Sequence, residues 1–233
     1  MIPLKDNNPR IKFPFITLLI ITCNVIAFIF FVSKPEAIQM QIINQYALFP
    51  SHVKTLLFTN NLNYNILSNF ITYMFMHGSW LHLIGNCWFL WIFGDNVEGV
   101  MGHISYLFFY LIFGIFACFV HIAITSTPNV PIIGASGAIA GVMGAYLILF
   151  PKANILTFVP LFFIWLLPIP AFIFLILWFA GQFLSGLSDL ANTGKAASHI
   201  AFWAHIGGFL IGIIGGIIYR NKKERLYRSL SEY

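Results

Sequence analysis

The sequence predicts an all-α membrane protein, a bundle of six transmembrane helices whose fourth helix is short and central. Hydrophobic residues make up 59% of the 233 residues and charged residues 8%, whereas soluble domains average about 25% charged residues. The mean hydropathy is +0.86. Long apolar segments recur along the chain, so we expect one transmembrane domain rather than a soluble core with an anchor.

Each predicted span in the first half is an apolar run bounded by polar or turn-forming residues. A polar, basic segment at residues 1–12 precedes the first span. Residues 33–65 form a connection too long for a plain turn, and we expect a structured external loop there. Gly94-Asp95-Asn96 closes the second span. The first three spans are residues 13–32, 66–93 and 104–124.

The second half continues the same pattern. Residues 155–167 are apolar but interrupted by prolines, which predicts an in-plane segment rather than a crossing. Residues 188–199 form a polar connection, and residues 220–233 form a basic cytoplasmic tail. The transmembrane domain therefore covers residues 13–219. Its fifth and sixth spans are residues 169–187 and 200–219.

Charge gives the predicted orientation. Six spans put both termini on one side, where nine of the twelve basic residues fall, and this excess favours cytoplasmic termini. Five of the twelve follow Tyr219, so the net charge of +5 does not indicate nucleic-acid binding. No cleavable signal or transit segment is evident, which favours a bacterial cytoplasmic membrane. The partner implied by composition is the lipid bilayer, and nothing indicates an oligomeric state.

The fourth span is short and begins at a serine. Ser136 to Phe150 would rise about 22 Å as a helix, against a hydrocarbon core of roughly 30 Å. Such a helix can begin inside the membrane only if the backbone before it is buried in protein or faces water. Ser136 is therefore a candidate nucleophile in a hydrated cavity.

Other polar residues are predicted at a similar depth. His205 lies as far above the cytoplasmic boundary as Ser136, at about 22 Å. Counted from Asp95, His82 and Asn86 lie at about 20 and 14 Å. Four polar side chains on three co-directional helices near one level predict a site, because desolvating them is costly.

Serine and histidine suffice for nucleophilic catalysis if the imidazole takes the hydroxyl proton. No Asp or Glu is predicted at this depth, so Ser136 and His205 would form a dyad. His82, Asn86 and the backbone N–H of Ser136 could stabilise an oxyanion. His-Glu-x-x-His spacing is absent, so neither a metal nor another cofactor is predicted.

Small residues favour close packing of the fourth and sixth spans. They recur every fourth position, which lets two helix backbones approach. The two stripes of the fourth span are Ser136, Ala140 and Gly144 with Gly137, Gly141 and Ala145, and that of the sixth is Gly208, Gly212 and Gly216.

Four motifs occur in order along residues 66–219. They are His77-Gly-Ser-Trp-Leu-His82-Leu-Ile-Gly-Asn86, Phe93-Gly-Asp-Asn-Val-Glu98, Gly134-Ala-Ser-Gly137 and Ala204-His-Ile-Gly-Gly208. As a set they resemble the rhomboid family of intramembrane serine proteases.

The resemblance implies a serine-type endopeptidase in which Ser136 attacks and His205 is the base. It implies His82, Asn86 and the Ser136 N–H as oxyanion stabilisers, with support from three residues of the motifs. Its substrates would be membrane-anchored proteins cut in or near a transmembrane helix. The supporting residues are His77, Gly134 and Gly137.

Two departures from the family pattern stand out. Many members carry an aromatic residue four positions after the serine, stacked on the histidine, and here that position is Ala140. The histidine would then be held less firmly or by another ring. The first external loop also lacks the Trp-Arg pair of some members.

Two alternatives belong to other classes. A catalytically silent rhomboid-like protein would bind transmembrane helices without cutting them, but such relatives typically lose the serine or the histidine. A transporter or proton relay would be expected to show paired carboxylates or repeated halves, and neither is found.

Overall fold

The computed structural model describes residues 1–59, 64–161, 163–191 and 200–231. The chain is mostly helical, with one small sheet. The helices are α1 (Phe15–Val32), α2 (Glu36–Tyr46), α3 (Pro50–Thr59), α4 (Tyr64–Thr72), α5 (Trp80–Met101), α6 (His103–Ile124), α7 (Ser136–Leu149), α8 (Ala171–Ala191) and α9 (Phe202–Ser231). The strands are β1 (Ile2–Asp6), β2 (Asn154–Leu161) and β3 (Phe163–Pro170).

The long connection after α1 is structured, as predicted, and its structure is helical. It contains α2, α3 and the start of α4. Leu48 pairs with Ile132 through two backbone hydrogen bonds, which tie this connection to the segment before α7. Residues 60–63 of this connection, three of which are asparagines, lie outside the described residues.

The predicted second span was wrong at both ends. Residues 66–79 are divided between α4, a 3-10 turn (Tyr73–Phe75) and a short loop, and α5 begins at Trp80. The Ser79 Oγ accepts a hydrogen bond from the His82 N–H at 3.2 Å, which caps the new helix.

The Gly94-Asp95-Asn96 signal does not end α5, because tertiary contacts keep it helical. Gly94 packs so closely that a Cβ there would lie 2.7 Å from the Tyr106 hydroxyl. Asp95 accepts a hydrogen bond from Arg10 at 3.1 Å. The helix ends instead at Gly102, whose φ of +85° favours glycine.

The all-α assignment is incorrect at the end of the bundle near the N-terminus. The predicted in-plane segment is an antiparallel hairpin of β2 and β3, and β1 pairs with β2. The side chains of Ile155, Thr157 and Val159 are buried while those between them are more exposed. This period of two in burial is typical of a strand. The sequence does not show it, because the more exposed Leu156 and Phe158 are also apolar.

The predicted small-residue contact between α7 and α9 is confirmed. Any Cβ added at Gly208 or Gly212 would overlap the carbonyl oxygens of Gly137 and Gly141. Because the paired positions rise together along both helices, α7 and α9 are parallel. α9 continues to Ser231, so helix extends through most of the predicted basic tail.

Within the described part of the chain, four helices are long and apolar enough to cross a membrane: α1, α6, α8 and residues Phe202–Arg228 of α9. The chain is therefore a multi-pass integral membrane protein. α5 has 22 residues but is more polar, and α7 has only 14.

Candidate active site

Ser136 and His205 lie in contact at the same end of the bundle. Ser136 is the first residue of α7, and His205 lies in the first turn of α9. The Ser136 Oγ is 2.8 Å from the His205 Nε2. Both side chains are partly exposed. The geometry allows the hydroxyl to donate its proton to the imidazole.

The depth count that brought His82 to this level rested on a wrong boundary, since α5 runs beyond Asp95 to Met101. His82 is nevertheless near the dyad's end of the bundle, because it lies in the first turn of α5. Phe93 of α5 packs on Tyr146 of α7, with ring centroids 5.0 Å apart. α5 and α7 therefore run in the same direction.

Gly134 brings α5 against the loop that leads into α7. Its φ is +112°, a conformation that side chains disfavour. A Cβ there would lie 2.7 Å from the His82 Cε1 and 3.5 Å from the Asn86 Nδ2. The Gly134 N–H donates to the Tyr73 carbonyl oxygen at 2.9 Å. His82 and Asn86 therefore line the backbone two residues before Ser136.

Asn86 carries a hydrogen-bond donor without an acceptor. Its side chain is 7% exposed, and its Nδ2 has no partner among the described residues. A buried unpaired amide is costly. Asn24 in α1 is also unpaired within the described chain, so this feature alone does not define a site. Asn86 differs because it adjoins Gly134 and the nucleophile loop.

The predicted supporting residues have packing roles in the structure. His77 is 2% exposed, and its ring meets that of His82 edge-on at 5.1 Å between centroids. Gly137 is buried, and a Cβ there would lie 2.8 Å from the Cβ of Ala117. His77 thus packs against His82. The absence of a side chain at Gly137 lets α6 and α9 pack closely on the first turn of α7.

Two residues of α8 contact the imidazole, and the sequence reasoning missed both. The Gln182 Oε1 lies 2.6 Å from the His205 Nδ1. The Trp178 ring packs on the imidazole, with centroids 5.9 Å apart and planes tilted by 36°. The available signal was a glutamine within an apolar span, four residues from a tryptophan.

The model of the rhomboid domain matches residues 65–222, which include every helix that contributes to this site. The chain belongs to the rhomboid family. The four motifs that carry the sequence resemblance all lie within the matched residues.

Rhomboid relatives from three eukaryotes are similar over much of the chain. Presenilin-associated rhomboid-like protein A, mitochondrial, of Danio rerio is 32% identical over 143 residues, 60% of this chain and 34% of that protein. Rhomboid-like protein 11, chloroplastic, of Arabidopsis thaliana is 29% identical over 155 residues, 65% and 52%. Rhomboid protein 1, mitochondrial, of Saccharomyces cerevisiae is 28% identical over 150 residues, 61% and 39%.

The chain spans about a third to a half of the length of these curated relatives. Their names place them in mitochondria and a chloroplast, so they do not support the bacterial cytoplasmic membrane predicted from the sequence. What is established is a multi-pass membrane protein of the rhomboid family.

Proposed function

We propose that this rhomboid is an intramembrane serine endopeptidase that cleaves membrane-anchored proteins in or near their transmembrane helix. The proposal rests above all on one contact, the 2.8 Å hydrogen bond between the Ser136 Oγ and the His205 Nε2 at the head of the short helix α7. Family membership supports it, since rhomboids are generally intramembrane serine proteases.

In the first half-reaction the Ser136 Oγ attacks the scissile carbonyl carbon while the His205 Nε2 removes the hydroxyl proton. The tetrahedral intermediate collapses, the peptide C–N bond breaks, and the imidazolium returns its proton to the leaving amine. An ester between Ser136 and the acyl half of the substrate remains.

The oxyanion of this intermediate needs donors that are already in position. Asn86 supplies an unpaired Nδ2–H beside the nucleophile loop. The His82 ring and the N–H of Ser136 are further donors, since N–H groups in the first turn of a helix have no intrahelical acceptor. Gly134 and Gly137 allow this close approach, and His77 supports His82.

In the second half-reaction His205 deprotonates a water molecule that attacks the ester carbonyl. The acid half of the product leaves, and the proton returns through the imidazole to the Ser136 Oγ. This step requires water at the dyad, which the partial exposure of both side chains supports. Apart from the substrate and water, all reacting groups of the proposed cycle belong to the chain, so the cycle uses no cofactor or metal.

We also propose that α5 and α7 complete a bundle of six transmembrane helices. α5 is long enough, at about 33 Å, whereas α7 reaches only about 21 Å and would begin beneath one surface. Both termini would then face the cytoplasmic side. The test uses Lys12→Cys, Lys34→Cys and Lys223→Cys, each in a chain without its native cysteines and each labelled from one side of sealed vesicles. The cysteines at positions 12 and 223 should be labelled from the same side, and the cysteine at position 34 from the opposite side.

The activity is tested in proteoliposomes that contain the purified protein and reporter proteins with varied transmembrane helices. We expect fragments whose new termini map within or beside a helix, and none from Ser136→Ala at equal amounts of folded protein. Binding of reporters without any fragment would favour the silent helix-binding alternative. Fractionation of the native source tests the predicted bacterial cytoplasmic membrane.

A further inference from the structure

The imidazole of His205 is held from α8, a helix that carries neither reacting group. Helix α7 offers no aromatic ring to His205, since the position four residues after Ser136 is Ala140. Two side chains one turn apart on α8 contact the imidazole instead, and they contact it differently. The Trp178 ring packs beside the imidazole in a tilted arrangement, and the Gln182 Oε1 bonds to its Nδ1.

The bond to Gln182 determines which nitrogen carries the proton. A carboxamide oxygen only accepts hydrogen bonds, so Oε1 at 2.6 Å from Nδ1 requires an Nδ1–H. A neutral imidazole protonated on Nδ1 has a free lone pair on Nε2. That is the nitrogen at 2.8 Å from the Ser136 Oγ. Gln182 therefore selects the tautomer that can act as a base.

We propose that Gln182 and Trp178 are the positioning residues of the dyad, with the amide fixing the imidazole tautomer and the indole fixing the ring plane. This inference rests on the proposed protease function. Gln182 here takes the orienting role that a carboxylate has in a serine–histidine–aspartate triad, but it adds no negative charge. Trp178 takes the place of the ring that Ala140 does not provide.

The location of these residues has a mechanical consequence. α8 is the least buried of the four apolar helices named above, with 22% of an 18-residue apolar stretch buried against 50% for α9. Trp178 also packs on Phe209 of α9, at 6.0 Å between ring centroids. A displacement of α8 away from α9 would remove both imidazole contacts at once, so the competence of the base depends on the position of α8.

Substitutions at residue 182 separate tautomer control from packing. Gln182→Leu keeps the approximate volume and removes the acceptor, whereas Gln182→Glu retains an acceptor for the Nδ1–H. Leu184→Ala, on the lipid-facing side of α8 with Leu184 at 65% exposure, is the matched control for helix packing. Trp178→Leu and Trp178→Phe form the corresponding pair for the ring contact.

The first readout is the rate at which a small serine-directed phosphonate labels Ser136, which does not require entry of a substrate helix. We expect Gln182→Leu to slow labelling by about 10–100-fold, as loss of the outer partner does for metal-bound histidines. Gln182→Glu and Leu184→Ala should keep most of the wild-type rate. Trp178→Leu should slow labelling a few-fold and Trp178→Phe less. Wild-type labelling by Gln182→Leu would overturn the proposal.

The second readout is the ¹⁵N NMR spectrum of histidine-labelled protein, with His205 assigned by its loss in His205→Ala. Wild type and Gln182→Glu should show a protonated Nδ1 and a bare Nε2, and Gln182→Leu a mixture of tautomers. An unchanged tautomer in Gln182→Leu would overturn tautomer control. Because this measurement needs no turnover, a wild-type protein that fails to label but shows the expected tautomers would refute the protease and not the role of Gln182.

Discussion

The two ends of the bundle both bury polar side chains, but they satisfy them differently. At the end near the N-terminus, Glu98 is fully buried and accepts hydrogen bonds from the backbone N–H groups of Ile16 and Thr17, each at 2.8 Å, and from the Thr17 hydroxyl at 2.7 Å. At the other end, Ser136 and His205 remain partly exposed, and the Asn86 Nδ2 has no acceptor among the described residues.

The difference distinguishes a structural polar cluster from a reactive one. The carboxylate of Glu98 caps the first turn of α1, where negative charge and acceptors are favourable. Asp6 similarly accepts from the Tyr146 hydroxyl at 2.5 Å and from Asn96 at 2.9 Å. Polar residues within membrane helices are therefore not all catalytic, and those with spare hydrogen-bonding capacity beside an exposed nucleophile are the candidates.

The largest expected effect is the loss of cleavage in Ser136→Ala and, separately, in His205→Ala. Either change removes a group that forms or breaks a bond, so fragment release should fall below detection. Both variants should remain folded, since neither side chain belongs to the glycine contact between α7 and α9. His205→Ala should lower the unfolding temperature somewhat, because it removes the partner of Gln182 and Trp178. A Ser136→Ala protein that still releases fragments at a comparable rate would refute the assignment.

Asn86→Ala should reduce cleavage by about 10²–10³-fold, the usual cost of one oxyanion donor. Because the other donors remain, activity should stay measurable. Asn24→Ala is the matched control, since it removes another buried amide whose Nδ2 is unpaired within the described chain, on α1, a helix that carries none of the proposed site residues. Equal losses of activity per folded molecule in the two variants would contradict an oxyanion role specific to Asn86.

Glu98→Gln should reverse this pattern, lowering stability and sparing chemistry. The carboxamide keeps one oxygen as acceptor for the donors of Ile16 and Thr17, and its NH₂ group faces those donors. The free energy of unfolding should therefore fall by about 1–3 kcal/mol. Differential scanning calorimetry should show a lower unfolding temperature than that of wild type. Phosphonate labelling of Ser136 per folded molecule should equal wild type, and a selective loss of labelling would contradict a purely structural role.

The sequence predicted the dyad and its neighbours because the reacting residues are polar within apolar runs. It placed α1 and α6 nearly correctly because each is a long apolar run bounded by polar residues. It failed at α5, where Gly94-Asp95-Asn96 has the composition of a turn. In the structure these residues are helical, because Arg10 bonds to Asp95 and the side chains of Thr17 and Tyr106 pack on Gly94. That information is tertiary and cannot be read from local pattern.

The sheet and the imidazole contacts were missed for related reasons. The burial of β2 alternates but its sequence does not, because apolar residues lie on both of its faces. Its prolines suggested an irregular segment, and its partner β1 is distant in sequence. Gln182 appears in the sequence as one polar residue of the fifth span. Only the packing of α8 on α9 brings it to His205.

The smallest expected effect concerns Asp6. Burial raises the pKa of this carboxyl above its ordinary value of 3.8, although the hydrogen bond from Tyr146 opposes the shift. A raised pKa means that the folded protein favours the protonated form, so this stabilisation is present below that ordinary value and is lost as the pH rises through the folded pKa. Asp6→Asn should flatten the pH dependence of the unfolding temperature above pH 3.8, and parallel curves would contradict this.

The Ser136–His205 dyad is tested by covalent labelling of the folded wild-type protein with a serine-directed phosphonate, with the adduct located by mass spectrometry. We expect one adduct, on Ser136, formed at a rate that falls sharply in His205→Ala, whereas Glu98→Gln labels at the wild-type rate per folded molecule. A folded wild type without the adduct, or a His205→Ala protein labelled at the wild-type rate, would contradict it.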